Sequence, residues 1–119
     1  MIRKIKNRYV LVEASSPIRL DKPGIDELST KLVSVLGELS FSYANPRVVT
    51  QYDANTFAIR ATRSTEGHVI LALAFINELA GSKVKLYTLR TSGTLAALMK
   101  SYKRLTATAD QAKFISNSI

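Results

Sequence analysis

The run Arg90-Thr91-Ser92-Gly93-Thr94 places a cation, three hydroxyls and a glycine where a strand-like stretch gives way to a helix-like one. Amides at a helix start favour anions, and a glycine lets a phosphate approach the main chain closely. The same residues also suit an ordinary cap, with Ser92 as N-cap and Gly93 as a turn residue. The charge distribution bears on the choice. Residues 1–12 hold Arg3, Lys4, Lys6 and Arg8 with no acid, and residues 79–109 hold Lys83, Lys85, Arg90, Lys100, Lys103 and Arg104, again with none. These ten cations exceed the formal net charge of +8; the rest of the chain carries 7 bases and 9 acids. Two acid-free basic segments point to a surface for polyanions rather than to general basicity.

Other positions carry weaker signals. Lys100, Lys103 and Arg104 fall at i, i+3 and i+4, opposite an apolar stripe of Leu95, Leu98, Met99 and Tyr102, so one helix face is a basic ridge without local acidic partners. Arg60 lies within a strand-like run and Arg63 just after it. An arginine in a central strand must reach an edge, a carboxylate or a ligand, and Glu13 is the candidate carboxylate. The face Ala58, Arg60, Thr62 lacks the aromatic residues on which an RNA-recognition motif stacks bases. Tyr9 and Tyr87 are the isolated aromatic candidates, and packing suits each of them better.

Catalysis finds no constellation. His68 is the single histidine and there is no cysteine, so no disulfide, thiolate metal site or cysteine nucleophile exists. No paired carboxylates, P-loop or Ser/His/Asp set stands out. No catalytic residue and no metal ligand is assigned.

The elements that must position these residues follow from periodicity and punctuation. At 119 residues and 46% hydrophobic composition, the chain suits one domain, residues 1–119, with a core over about 6–96 and a helical extension over about 97–119. Its longest apolar run, residues 69–76, is eight long, below the ~18 needed to span a bilayer. No secretory signal opens it, so a cytoplasmic protein without membrane contact is expected. Residues 9–14 read as a strand, and Asp21 and Pro23 start an amphipathic helix over about 24–40. Residues 47–53 and 56–62 form a hairpin around Asp53, Ala54 and Asn55. Ser64, Thr65 and Glu66 offer caps for a second helix stopping near Gly81. Its apolar run 69–76 is expected to be buried between the sheet and the C-terminal helices, with coverage of part of it by a partner as the alternative. A fourth strand spans residues 84–91, a third helix follows, and Thr108 with Gln111 predicts a capping box for a last short one.

The resulting order, β-α-β-β-α-β with C-terminal helices, is the ferredoxin-like α+β plan with an antiparallel four-stranded sheet. Its usual strand order, 4-1-3-2, makes the first and fourth strands neighbours. The two basic segments then lie side by side. Acylphosphatase shares this order, but its phosphate loop is Gly-rich and residues 17–22 contain no glycine.

Lys6-Asn7-Arg8-Tyr9-Val10-Leu11-Val12-Glu13, the Arg60 strand followed by a helix, and Leu89-Arg90-Thr91-Ser92-Gly93-Thr94-Leu95 together resemble the archaeal and eukaryotic ribonuclease P protein component 2 family, over roughly residues 6–96. The resemblance implies a noncatalytic RNA-binding subunit of ribonuclease P, the ribonucleoprotein that removes 5′ leaders from precursor tRNA. The RNA subunit would perform the hydrolysis with Mg2+, and this chain would bind no cofactor. It further implies ribonuclease P protein component 3 as a partner, precursor tRNA reached through the holoenzyme, and joining of two heterodimers into a heterotetramer. The RNA contacts expected are Lys4, Lys6, Arg8, Lys85, Arg90, Ser92, Gly93 and Thr94, then Lys100, Lys103 and Arg104, with Arg60 and Arg63 as further candidates. Two other classes remain open: a ferredoxin-like regulatory module holding a small anion at Ser92–Thr94, and an enzyme of the same fold.

Overall fold

The computed structural model describes residues 6–79 and 81–117, with side chains through residue 107. Lys4 lies outside the described residues.

Strict alternation of apolar residues builds the sheet. In β1 (Asn7–Ala14), Val10, Val12 and Ala14 point one way, and Phe57, Ile59 and Ala61 of β3 (Thr56–Thr62) join them in the main core. β2 (Arg47–Gln51) and β6 (Leu86–Ser92) flank this pair, so the antiparallel order is β2-β3-β1-β6. That is the ferredoxin-like arrangement expected, with the first and last long strands adjacent. The hairpin turn is fixed by Asp53, whose Oδ1 accepts hydrogen bonds from the amides of Asn55 and Thr56, both at 2.8 Å.

Helices cover the face carrying Val10 and Ile59. α1 (Lys22–Leu36) starts where Asp21 Oδ1 accepts from the Gly24 amide at 3.0 Å, with Pro23 in the first turn. A single helix over about 24–40 is not what forms. Gly37 takes a φ of 83°, in the left-handed region, and separates α1 from α2 (Glu38–Ala44). Leu39, which continues the helical spacing of Leu28, Leu32 and Leu36, is 86% exposed, while Phe41 and Ala44 pack on the core.

α3 (Glu66–Phe75) is likewise shorter than its apolar pattern suggests. The chain leaves the helix at Ile76 and forms a small hairpin, β4 (Glu78–Leu79) and β5 (Ser82–Lys83), with Gly81 at a φ of 77° in the turn. Ile76 and Leu79 stay buried through this change, and the Lys31 ammonium donates to the Glu78 carbonyl. Gly81 therefore serves a hairpin, not a helix C-terminus. Val69, Ala72 and Leu73 face the core, but Leu71 and Phe75 are 60% and 65% exposed. The expected burial of the whole run fails because the C-terminal residues go elsewhere.

α4 (Leu95–Asn117) is one continuous helix across the opposite face of the sheet. Helical backbone runs straight through Thr108 and Gln111, so no separate capped helix begins there. Leu98 is fully buried against Leu11 and Ala58, with Tyr9, Val49, Tyr52 and Tyr102 around them. Tyr102 stacks on Tyr52 with ring centroids 4.6 Å apart, and its hydroxyl donates to Asp53 Oδ2 at 2.7 Å. Of the expected stripe, Leu98 and Tyr102 pack, while Leu95 and Met99 stay exposed. The result is three layers: helices α1, α2 and α3, the sheet, and α4. Among the described residues, no helix is long and apolar enough to cross a membrane.

Candidate functional site

β1 and β6 run antiparallel in a register that sets Tyr9 opposite Ser92 and Val10 opposite Thr91. The start of the first basic segment therefore meets the end of the fourth long strand. The Arg63 amide donates to the Lys6 carbonyl at 2.8 Å and closes the third side. Lys6, Asn7, Arg8, Arg63 and Gly93 line an open cleft of about 300 Å³. Among the described residues, three cations and no acid form its wall.

Arg8 shares the parity of Val10 and Val12, so its side chain leaves the sheet toward the first turn of α3. There Arg8 Nε stands 3.9 Å from Glu66 Oε1, and neither Arg8 Nε nor Glu66 Oε2 has a hydrogen-bond partner although both atoms are buried. The pair is loose. Glu66 is itself well placed at a helix N-terminus, so it holds the guanidinium near the cleft without occupying its whole fork. A Cβ built on Gly93 would lie 3.6 Å from Arg8 Nη1. A side chain at position 93 would cover the guanidinium, and glycine leaves it reachable from outside.

Thr94, not Ser92, caps α4: its Oγ1 accepts from the Ala97 amide at 3.2 Å, and its carbonyl accepts from the Leu98 amide at 3.2 Å. Ser92 Oγ accepts from the Thr94 amide at 3.3 Å and so stabilises the turn. Of this turn, Gly93 reaches the cleft.

Other expected contacts are not brought to it. Lys85 sits at the far end of β6, beside Ser15, whose amide donates to the Lys85 carbonyl at 2.9 Å. Antiparallel direction makes this unavoidable, because the segments lie side by side with opposite ends together; seven strand residues amount to roughly 20 Å. Arg90 pairs with Leu11 and lies exposed on the α4 face, on the other side of the sheet from Arg8. Arg60 is on that face too, opposite Tyr9 and Arg47. Glu13 stands opposite Thr56 and Tyr87, so it is not the partner of Arg60; among the described residues no carboxylate pairs with that arginine. Lys100, Lys103 and Arg104 are exposed along α4, as a basic ridge would be. His68 is exposed in the first turn of α3, and among the described residues no group of three His, Cys, Asp or Glu side chains could hold a metal ion.

Asn7 and Arg47 escaped the sequence reasoning. Asn7 is uncharged and gave no signal. Arg47 was hidden by a bulge between Val48 and Thr50: counting back from Gln51 opposite Phe57 without it sets Val48 against Arg60, and the extra residue puts Arg47 there instead.

A model of the Rpp14/Pop5 family matches residues 8–103 of this chain. Ribonuclease P protein component 2 of Pyrococcus abyssi is 31% identical over 100 residues, covering 82% of this chain and 84% of that protein. The protein of the same name from Pyrococcus horikoshii is 30% identical over 100 residues, covering 82% of each. Among solved structures, a chain of yeast ribonuclease MRP aligns over 92% of this chain and 98% of its own length, with a TM-score of 0.47 and 14% identity.

Proposed function

The chain belongs to the Rpp14/Pop5 family, and from that premise we propose that it is a noncatalytic RNA-binding subunit of ribonuclease P, supporting the catalytic RNA in removing the 5′ leader from precursor tRNA. The observation that carries the RNA contact is the acid-free cleft where Lys6, Arg8 and Arg63 converge beside Gly93. Its chemistry is charge neutralisation. Phosphate contacts by lysine and arginine release counterions, so they give affinity and position without base preference. Arg8 supplies a planar fork for one phosphate, and its long contact to Glu66 leaves hydrogen-bonding capacity unspent. Lys6 and Arg63, both exposed, add charge at the rim.

In this reading the RNA holds the Mg2+ used in hydrolysis, and precursor tRNA meets the chain through the holoenzyme. Component 3 is the protein partner, and its apolar counterpart here is the outer face of α3, where Leu71 and Phe75 lie open to solvent. Two such heterodimers would join as a heterotetramer, in the cytoplasm.

Two measurements test the proposal. Replacing Lys6 and Arg63 together by glutamine should flatten the slope of log affinity against log salt for a ribonuclease P RNA transcript by about 1.4 to 1.8, two phosphates' worth, with an unchanged thermal melt. An unchanged slope would remove the cleft from the interface, and weak salt dependence in the native chain would favour a small-anion module. Adding the chain and component 3 to the RNA should stimulate precursor tRNA cleavage; absence of stimulation would overturn the subunit assignment.

A further inference from the structure

α4 leaves one corner of its own sheet face open. It lies across β1 and β6 and reaches the β2–β3 turn through Tyr102. At the corner where β2 begins and β3 ends, Arg47 and Arg60 are direct cross-strand partners, and Tyr9 stands on the other side of Arg60. Arg60 points to the α4 side because Ile59 and Ala61 on either side of it are buried in the helix-backed core. Val48 also packs on that core, so Arg47 next to it shares the face of Arg60. Arg47 is exposed and Arg60 half-buried.

Directly opposed residues on one sheet face have Cβ atoms about 4.5–5.5 Å apart, and like charges so placed destabilise the sheet. Among the described residues, nothing near this pair offsets the repulsion. Arg47 Nε donates to Asn45 Oδ1 at 3.3 Å, and among the described residues Arg60 has no hydrogen-bonding or ionic side-chain partner. The row across the sheet, Arg47, Arg60, Tyr9, Ser92, contains no acid. The bulge between Val48 and Thr50 creates the juxtaposition, and bulges commonly re-aim a side chain toward a functional site. Two adjacent guanidinium forks become a favourable arrangement when one anion bridges them. A phosphodiester has two non-bridging oxygens, one for each fork.

We propose that Arg47 and Arg60 together grip a single phosphodiester of the bound RNA, at a site separate from the Gly93 cleft. This rests on the RNA-binding reading above. Arg60 and Arg63 lie three residues apart at the same end of β3, so one RNA backbone rounding that end of the sheet meets both sites.

The test is a double-mutant cycle on the full chain, titrated with a ribonuclease P RNA transcript over a range of salt. Arg47→Gln and Arg60→Gln should each weaken binding several-fold and each reduce the salt slope by about 0.7–0.9, one phosphate. The double variant should lose no further slope, and its loss of affinity should fall well short of the product of the single losses. All three variants should melt no lower than the native chain, because a repulsion has been removed. Multiplicative losses with a doubled slope change would mean two separate phosphates and overturn the shared grip. Unchanged affinity in both single variants would overturn the site while the native chain still bound RNA. A native chain that binds the transcript without salt dependence would instead overturn the RNA-binding reading itself.

Discussion

The two faces of the sheet are built from neighbouring residues of the same strands, yet they do different work. The helix-backed face carries Val10, Val12, Ala14, Phe57, Ile59 and Ala61, each at most 2% exposed, and its cations lie at one end, where Arg8 meets Glu66. The α4 face has a fully buried centre of Leu11, Ala58 and Leu98, surrounded by half-buried tyrosines and by Arg47, Arg60 and Arg90. One face holds the domain together. The other is a thin apolar seat for a helix, rimmed by groups that can meet an anion. Its small core limits what α4 can contribute to stability, and its polar rim is where mutation can be silent for folding and costly for binding.

The largest expected effect lies on the helix-backed face. Phe57 is the largest of the fully buried side chains there, and Phe57→Ala should destabilise the domain by about 3–5 kcal/mol in urea unfolding, by lost transfer energy plus the cavity left behind. Leu98→Ala on the other face should cost less, about 2–3 kcal/mol, because the half-exposed Tyr9, Tyr52 and Tyr102 can close over the gap. Equal losses would break the comparison and make α4 part of a common core. A large loss of helicity at little cost in global stability would sharpen it, by showing that α4 detaches before the sheet unfolds.

How much of this was legible in the chain depends on the range of the interaction. Alternation in residues 9–14 and 56–62 marks two central strands, and β-α-β-β-α-β order makes β1 and β6 neighbours. From there, Lys6, Arg8 and Gly93 meet by register alone. The same antiparallel register separates Lys85 from them, a deduction that charge grouping obscured. Helical spacing over-extended both covering helices for one reason: Ile76 and Leu79 continue the period of Val69, Ala72 and Leu73, and Leu39 continues that of Leu32 and Leu36, so burial frequency looks the same after the backbone has changed course. Gly37 was the local sign of the first break. No local sign tells α4 which face of the sheet to cover, because its exposed Leu95, Met99 and Leu105 suit either side equally well. That choice is made by Leu98 finding Ala58 and by Tyr102 finding Tyr52 and Asp53, contacts about 40 to 50 positions apart in sequence.

The smallest effect concerns that last contact. Partial burial by itself would raise the Asp53 carboxyl's pKa; hydrogen bonds from the Tyr102 hydroxyl, the Asn55 amide and Thr56 outweigh it and hold the group below the ordinary aspartate value. The same bond, aided by some burial, pushes the Tyr102 hydroxyl above its usual value. Tyr102→Phe keeps the stack on Tyr52 and removes only the hydroxyl, so at this half-buried position the loss should be under about 1 kcal/mol at neutral pH. Because Asp53 titrates lower folded than unfolded, its contribution is fully present above the unfolded pKa and is lost as pH falls through the folded one. The gap between native and Tyr102→Phe stability should therefore stay constant from pH 7 to about pH 5 and narrow below about pH 4. The asparagine amide and Thr56 bonds persist in the variant, so the narrowing reports the share that comes from α4. A gap that persists undiminished to pH 2 would mean that the hydroxyl holds α4 on its face by a route other than the Asp53 carboxylate, in addition to the Leu98 seat and the tyrosine stack.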